Sequence, residues 1–376
     1  MEPFKNAFNE KLIKNMAHFF SKSWPEFRSR DFIKDAKINF EDLELKERSN
    51  QITVAMKEHL PSDFAHAANI LLASLGEPIN DDKIVRDSDK SGLVGWAIMP
   101  MAEYVGLHGW SHYSKSMDLF KEMTQRFTCE FGIRHFILKD PKKTIKTINK
   151  WTKNKDRHVR RLASEGIRPR LPWAMQLETF IKNPEPIIEI LEQLKDDPEE
   201  YVRRSVANNL NDISKDHSQI ISELSEKWIK GATQNRHRLL KHACRTLIKN
   251  GDKKILSIFG YTKPKLKKIK LTLLSKKIKL GEALNFKLSL GSLGSENQPL
   301  LIDYVIHHVK KNGSNTPKVF KWTIKSLPSN SEIEINKKHS FKTISTRIYY
   351  GGVHKVDIMI NGSLVASSSF TLIIPS

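Results

Sequence analysis

The feature that most restricts the fold of this chain is a helical frame that recurs through its middle. VRRLA begins at Val159, VRRSVA at Val202 and LKHAC at Leu240, so the frame returns after 43 and then 38 residues. A self-similar unit of about 40 residues is the length of a helix pair, and such a unit cannot bury its apolar face alone. Four pairs are predicted: 116–126 with 127–138, 141–151 with 156–166, 184–194 with 199–213, and 217–229 with 235–250. DPKK at Asp140, NPEP at Asn183 and DDPEE at Asp196 place proline where helices start and stop. The expected architecture is a HEAT-like α-helical solenoid whose second helices line one curved face. A four-helix or globin-like bundle is the alternative.

Helical spacing also governs residues 1–100. Phe8, Leu12, Ile13, Met16 and Phe19 form one stripe, closed before Trp24 and Pro25. A helix is expected over about 40–60, ended by Pro61, and another from an Asp63 cap to Gly76. Residues 80–90 read as a loop, and 95–112, with Trp96, Tyr104 and Trp110, as buried helix. After Tyr261 and the linker KPKLKK the period changes to two: seven or eight short alternating runs follow, with Asn361-Gly362 as a two-residue hairpin turn. The fold class is therefore α plus all-β. Residues 1–261 are the helical-repeat domain, and 262–376 an immunoglobulin-like β-sandwich.

Charge points to a partner. The chain carries a formal +21, and from Thr262 onward 19 Lys/Arg stand against 6 Asp/Glu, about +13. Such an excess on a folded chain fits a polyanion, nucleic acid before anionic membrane; lysine used for solubility is the alternative. Two cysteines support neither a disulfide framework nor a cysteine zinc site. No Gly-rich phosphate loop, nucleophile elbow or Cys/His ligand spacing occurs, so no metal and no cofactor is expected. His307 and His308, on an alternating run, are expected at the surface. No apolar run of eighteen residues and no secretory h-region are present, and a soluble intracellular protein is expected.

The densest basic stretch, DRHVRRLASEGIRPRLPW from Asp156 to Trp173, sets six Arg or His around one internal acid, Glu165. A carboxylate on a phosphate-binding surface weakens binding, so a compensating task is expected, such as stabilising positive charge on the nucleic acid. Glu130, in FTCEFGIR, occupies a similar place in the preceding pair, and Asn209 and Asp212 the matching turn of the next. Equivalent positions of stacked repeats come together, here amid Arg160, Arg161, Arg168, Arg170, Arg203 and Arg204. For any one of these acids the plainer role is an intrahelical partner for a nearby arginine.

The same stretch closely resembles the signature of the AlkC branch of the AlkC/AlkD family of bacterial DNA glycosylases. LELKERSNQI from Leu43, LPSDF from Leu60 and RFTCEFGIR from Arg126 resemble that family's N-terminal segments in the same order, and the resemblance runs from about Phe4 to Gly251. The sandwich resembles the immunoglobulin-like domain of some AlkC members. The resemblance implies base excision repair: monofunctional hydrolysis of N3-methyladenine, N3-methylcytosine and N1-methyladenine from duplex DNA, without drawing the base into a tight pocket. It also implies that Glu130, Glu165 and Asp212 are the acids at the lesion and that Trp173 packs beside it; Glu165, within the most arginine-dense segment, is ranked first, Asp212 second and Glu130 third. Arg160, Arg161, Arg168, Arg170, Arg203, Arg204, Arg236 and Arg238 would hold phosphates. The expected protein is a cofactor-free monomer acting on alkylated double-stranded DNA in the bacterial cytoplasm, at the nucleoid. A non-catalytic DNA-binding HEAT-repeat scaffold is the alternative from another class, and a HEAT-repeat protein adaptor a third.

Overall fold

The structure, a computed structural model, describes residues 3–79, 88–345 and 347–374. The chain divides into two compact units, Met1–His217 with Thr233–Ala243, and Ser218–Ala232 with Cys244–Ser376.

The first unit is helical. Its N-terminal part contains Glu10–Ser23, Ser29–Ala36, Leu45–His59, Phe64–Ala73 and Ile98–His108. Their starts are written in side chains: Asn9 accepts from the Leu12 amide, Glu44 and Glu47 form a capping box, and Asp63 accepts from Ala65 and His66. The helix expected from residue 40 begins only at Leu45. Asn39 is left-handed (φ 53°), and Phe40–Asp42 is a separate 3-10 turn. Of the expected loop at 80–90, residues 80–87 lie outside the described residues.

The repeats follow as Tyr113–Thr124 with Ile133–Lys139, Pro141–Trp151 with Arg157–Glu165, and Glu185–Leu194 with Glu200–Ile213, before Gln234–Ala243. The helix Arg157–Glu165 packs on Glu200–Ile213, which packs in turn on Gln234–Ala243, while Pro141–Trp151 packs on Glu185–Leu194. Two helical layers result. The recurring frame supplies the glue, since Val159, Leu162, Val202, Val206, Leu239 and Leu240 are all buried. Their arginine neighbours in sequence fall toward the edges of that buried stripe.

One helix starts later than expected. Residues 127–132 are turn rather than helix, and Ile133–Lys139 carries what remains. Thr128 Oγ1 bonds both the amide and the carboxylate of Glu130, an alternative to helical bonding for that backbone. A Cβ at Gly132 would lie 2.1 Å from the Ala102 carbonyl oxygen, so only glycine lets this turn rest on Ile98–His108. Glu130 therefore stands on a turn, not on a second helix.

The second unit joins helices Ser218–Ile229, Arg245–Lys249 and Lys253–Ile258 to eight strands. The helix expected over 235–250 is broken at Cys244, which is buried against Ser225 at 3.2 Å. The strands are β1 (Leu266–Leu273), β2 (Lys277–Lys279), β3 (Ala283–Ser292), β4 (Gln298–Val309), β5 (Asn315–Leu327), β6 (Glu332–Ser340), β7 (Gly352–Ile360) and β8 (Ser363–Ile373). They form sheets β1-β3-β6 and β2-β8-β7-β4-β5. Alternate residues fill the core, Leu284, Phe286 and Leu288 facing Ile302, Tyr304, Ile306 and Ile358. Asn361 and Gly362, both at positive φ, make the β7–β8 turn as expected. The Asn361 amide also ties the linker down, donating to the Thr262 and Pro299 carbonyls and accepting from the Leu301 amide. His308 is not at the surface. It sits on a strand flanked on both sides, and its alternate face is the interior, where it is buried beside His339 and His354.

Candidate functional site

The repeat-equivalent acids do come together, and they do so as a ladder. Arg161 Nη1 donates to Glu130 Oε2 at 2.6 Å and its Nη2 stands 3.5 Å from Glu165 Oε1. Arg168 donates to Glu165 Oε1 at 2.7 Å and to Asp212 Oδ2 at 2.9 Å, and Lys215 donates to Asp212 Oδ1 at 3.1 Å. The order Glu130, Arg161, Glu165, Arg168, Asp212, Lys215 thus alternates charge across three successive repeats. Each acid belongs to a different helical pair, which is why neighbouring acids can share an arginine. Asn209, the other predicted member, is wholly buried and donates to the Ser164 carbonyl at 2.9 Å, so it staples adjacent helices.

The three acids differ in what they leave open. Glu165 is buried, with Oε1 between two arginines and Oε2 accepting from Ser205 at 2.5 Å. Burial alone would raise its carboxyl, but Arg161 and Arg168, helped by Ser205, outweigh that and hold it below the usual carboxylate range. Both oxygens of Asp212 are engaged, and its side chain is 2% exposed. Glu130 concentrates its bonds from Thr128 and Arg161 on Oε2 and is the most open of the three, at 12%. Its Oε1 has no hydrogen-bond partner among the described residues.

Trp173 stands on the loop that follows Glu165, 60% exposed, with Phe4 edge-on at 6.5 Å. The Ala174 amide donates to the Leu171 carbonyl at 3.3 Å and Trp173 has φ 64°. Proline first and positive φ second is the pattern of a type II turn, whose second central position normally takes glycine. A bulky aromatic there is strained and is turned outward.

Seven of the eight predicted arginines fall into three groups. Arg161 and Arg168 belong to the ladder. Arg160 and Arg203 brace the protein: Arg160 forks onto Asp197 at 2.6 and 3.1 Å, and Arg203 donates to the Asp197 and Pro198 carbonyls. Arg170, Arg204 and Arg236 are ion-paired nearer the surface, with Asp216, Glu200 and Asp196. Arg204, Arg203 and the exposed Arg238 line a cavity of about 330 Å³ with Glu200, Asn235 and His242. A second cleft of about 490 Å³, lined by Lys46, Asn50, Met99, Glu103, Phe131 and Met175, lies beside the Trp173 loop. Neither is lined by the three acids. Sequence reasoning missed Ser205, Lys215, Asp197 and Arg134. Only Lys215, three residues after Asp212, had a local signal.

Comparison with known proteins gives the chain its family. The model of the family "DNA alkylation repair enzyme" matches residues 115–247, and that of the "C-terminal Ig-like domain" of protein YhaZ matches 267–374. An uncharacterized protein of Bacillus subtilis (strain 168), YhaZ, is 36% identical over 98% of this chain and 99% of its own length. Among solved structures, the Pseudomonas fluorescens alkylpurine DNA glycosylase AlkC, bound to DNA containing an abasic site analog, superposes with a TM-score of 0.88 at 31% identity. The match covers 99% of each chain.

Proposed function

Because this chain belongs to the AlkC branch of the AlkC/AlkD DNA glycosylase family and carries a C-terminal immunoglobulin-like domain, we propose that it is a monofunctional glycosylase releasing cationic alkylated bases from duplex DNA. Its substrates in this reading are N3-methyladenine, N3-methylcytosine and N1-methyladenine. Residues 1–261 carry the chemistry and 262–376 grip DNA, in the bacterial cytoplasm. The observation that carries the proposal is the ladder: three carboxylates from successive repeats, interleaved with arginines, with one oxygen of Glu130 left open.

Alkylation at a ring nitrogen makes the base cationic, so it leaves with the C1′–N electron pair as a neutral molecule. The sugar passes through an oxocarbenium-like state with positive charge at C1′. Water adds to C1′ and loses a proton to a carboxylate, leaving an abasic sugar. Glu130, Glu165 and Asp212 are outnumbered by Arg161, Arg168, Lys215 and the buried Arg134, so at a distance no net negative charge repels DNA. Only a group close to an open carboxylate oxygen experiences a net negative field. That favours Glu130 as the acid facing C1′, with Glu165 and Asp212 fixing the arginine spacing, an order different from the one that arginine density in the sequence suggests. Trp173 offers its ring to the sugar or the cationic base.

The test is base release from methylated duplex DNA, with freed bases separated by chromatography. Release of N3-methyladenine by the wild type and its loss in Glu130→Gln is expected. DNA binding with no base released would favour the scaffold reading.

A further inference from the structure

We propose that Arg134 and Lys46 are positioning residues that latch the Trp173 loop to the acid ladder from two sides. This rests on the glycosylase reading for its consequence, but not for its geometry. Arg134 is wholly buried. Its Nη1 donates to the Gly166 and Arg168 carbonyls at 3.0 and 2.9 Å, its Nε donates to the Met175 carbonyl at 2.8 Å, and its Nη2 donates to that same carbonyl. The guanidinium therefore closes the neck of the loop. One end of the fork holds the backbone just after Glu165, and the other holds the backbone just after Trp173.

Arg134 is surrounded by Glu130, Glu165 and Asp212 yet hydrogen-bonds none of them among the described residues. Burial pushes it down to about 10, against the pull of those carboxylates. An arginine placed for ion pairing would direct its fork at the acids, as Arg161 and Arg168 do. This one is directed at backbone. Desolvating a guanidinium is unfavourable, and the bonds it makes here fix the relative position of two segments. From the opposite side, the Lys46 ammonium, on the exposed face of Leu45–His59, donates to the Trp173 carbonyl at 2.7 Å. That carbonyl belongs to the residue held at positive φ. A left-handed tryptophan relaxes unless its surroundings hold it, and these two cations hold the backbone carbonyls of its loop from outside, beside the side-chain pair Arg170–Asp216.

The experiment is a double-mutant cycle on full-length protein, combining Lys46→Met or Arg134→Lys with Trp173→Phe. Lysine cannot reproduce the fork, and Lys46→Met alters an exposed residue, so the second remains informative should the first fail to fold. Each latch variant is expected to lower single-turnover excision about fivefold while leaving DNA affinity within about twofold. In the Trp173→Phe background neither should lower it further. The second readout is the emission of Trp173 itself, taken as wild type minus Trp173→Phe. Its quenching by acrylamide should rise in Lys46→Met. Multiplicative effects in the cycle would overturn the latch, as would unchanged Trp173 quenching, the latter whether or not the protein excises bases. If quenching shifts but the wild type releases no base, the latch stands and the glycosylase reading falls.

Discussion

At the scale of single residues, Trp173 separates stability from function. A left-handed conformation costs a non-glycine residue roughly 1–2 kcal/mol, and glycine relieves it at an entropic cost of about 0.5–1 kcal/mol. The Phe4 contact is edge-on and the ring is largely exposed, so little packing is lost on its removal. Trp173→Gly should therefore change stability by no more than about 1 kcal/mol in urea denaturation, while excision falls roughly tenfold or more. A clear loss of stability would mean the ring is structural. The acids should divide differently. Glu130→Gln keeps hydrogen-bonding atoms toward Thr128 and Arg161 and should fold nearly as well as wild type, with excision down at least about tenfold. Glu165→Gln leaves Arg161 and Arg168 facing each other across a neutral group in a buried site. A loss of about 1–3 kcal/mol of stability is expected alongside any loss of activity. If Glu165→Gln proves as stable as wild type and Glu130→Gln fully active, Glu165 regains first place.

At the scale of elements, the helices were legible because burial is periodic, and the side-chain bonds between them were not. Val159, Val202 and Leu240 announced the second helices, and the acids at their ends could be aligned by counting. Glu130 was aligned correctly yet placed on a helix, since the Thr128 side chain competes for its backbone in a way that periodicity does not register. Arg134 was invisible as a latch: its partners are carbonyls 32 to 41 residues away, and carbonyls leave no mark in sequence. His308 was misread because the neighbours of β4 are set by sheet order β7-β4-β5. That burial has a consequence for the sandwich. Burial, with Arg347 adding repulsion, pushes His308 down to about 3 and His339 to about 4, and burial lowers His354 too. The unfolded chain takes up these protons near pH 6.5 while the fold resists, so their contribution is complete above that pH and is lost as pH falls toward the folded values. At pH 5 the sandwich should be weaker by about 1–2 kcal/mol for each of His308 and His339. Hydrogen-exchange protection of β4 and β7, corrected for intrinsic rates, should drop accordingly between pH 7.5 and 5. Equal protection at both would show that these histidines take up protons in the fold as readily as in the unfolded chain.

At the scale of the whole molecule, the two kinds of basic surface differ in how freely they can meet phosphate. In the helical unit most of the predicted arginines answer to a carboxylate or a carbonyl: Arg160 to Asp197, Arg170 to Asp216, Arg236 to Asp196. Exchanging such a partner for phosphate releases few counterions, because the charge is already partly neutralised. The sandwich is different, with 19 Lys/Arg against 6 Asp/Glu from Thr262 onward. Along β5, Lys318, Lys321 and Lys325 recur on the edge strand of the five-stranded sheet. Each phosphate contact contributes roughly 0.9 to the slope of log affinity against log salt. If β5 tracks a backbone, replacing Lys318, Lys321 and Lys325 together by glutamine should flatten that slope by up to about 2.7. Arg238→Ala, at the rim of the 330 Å³ cavity in the helical unit, should lower it by about 1. Fluorescence-anisotropy titrations of an undamaged duplex between about 50 and 200 mM salt measure both. Unmodified DNA is the right probe, since catalysis then cannot mask binding. A slope unmoved by the triple substitution, with affinity intact, would mean that the lysines of β5 serve solubility and that the grip on DNA lies elsewhere.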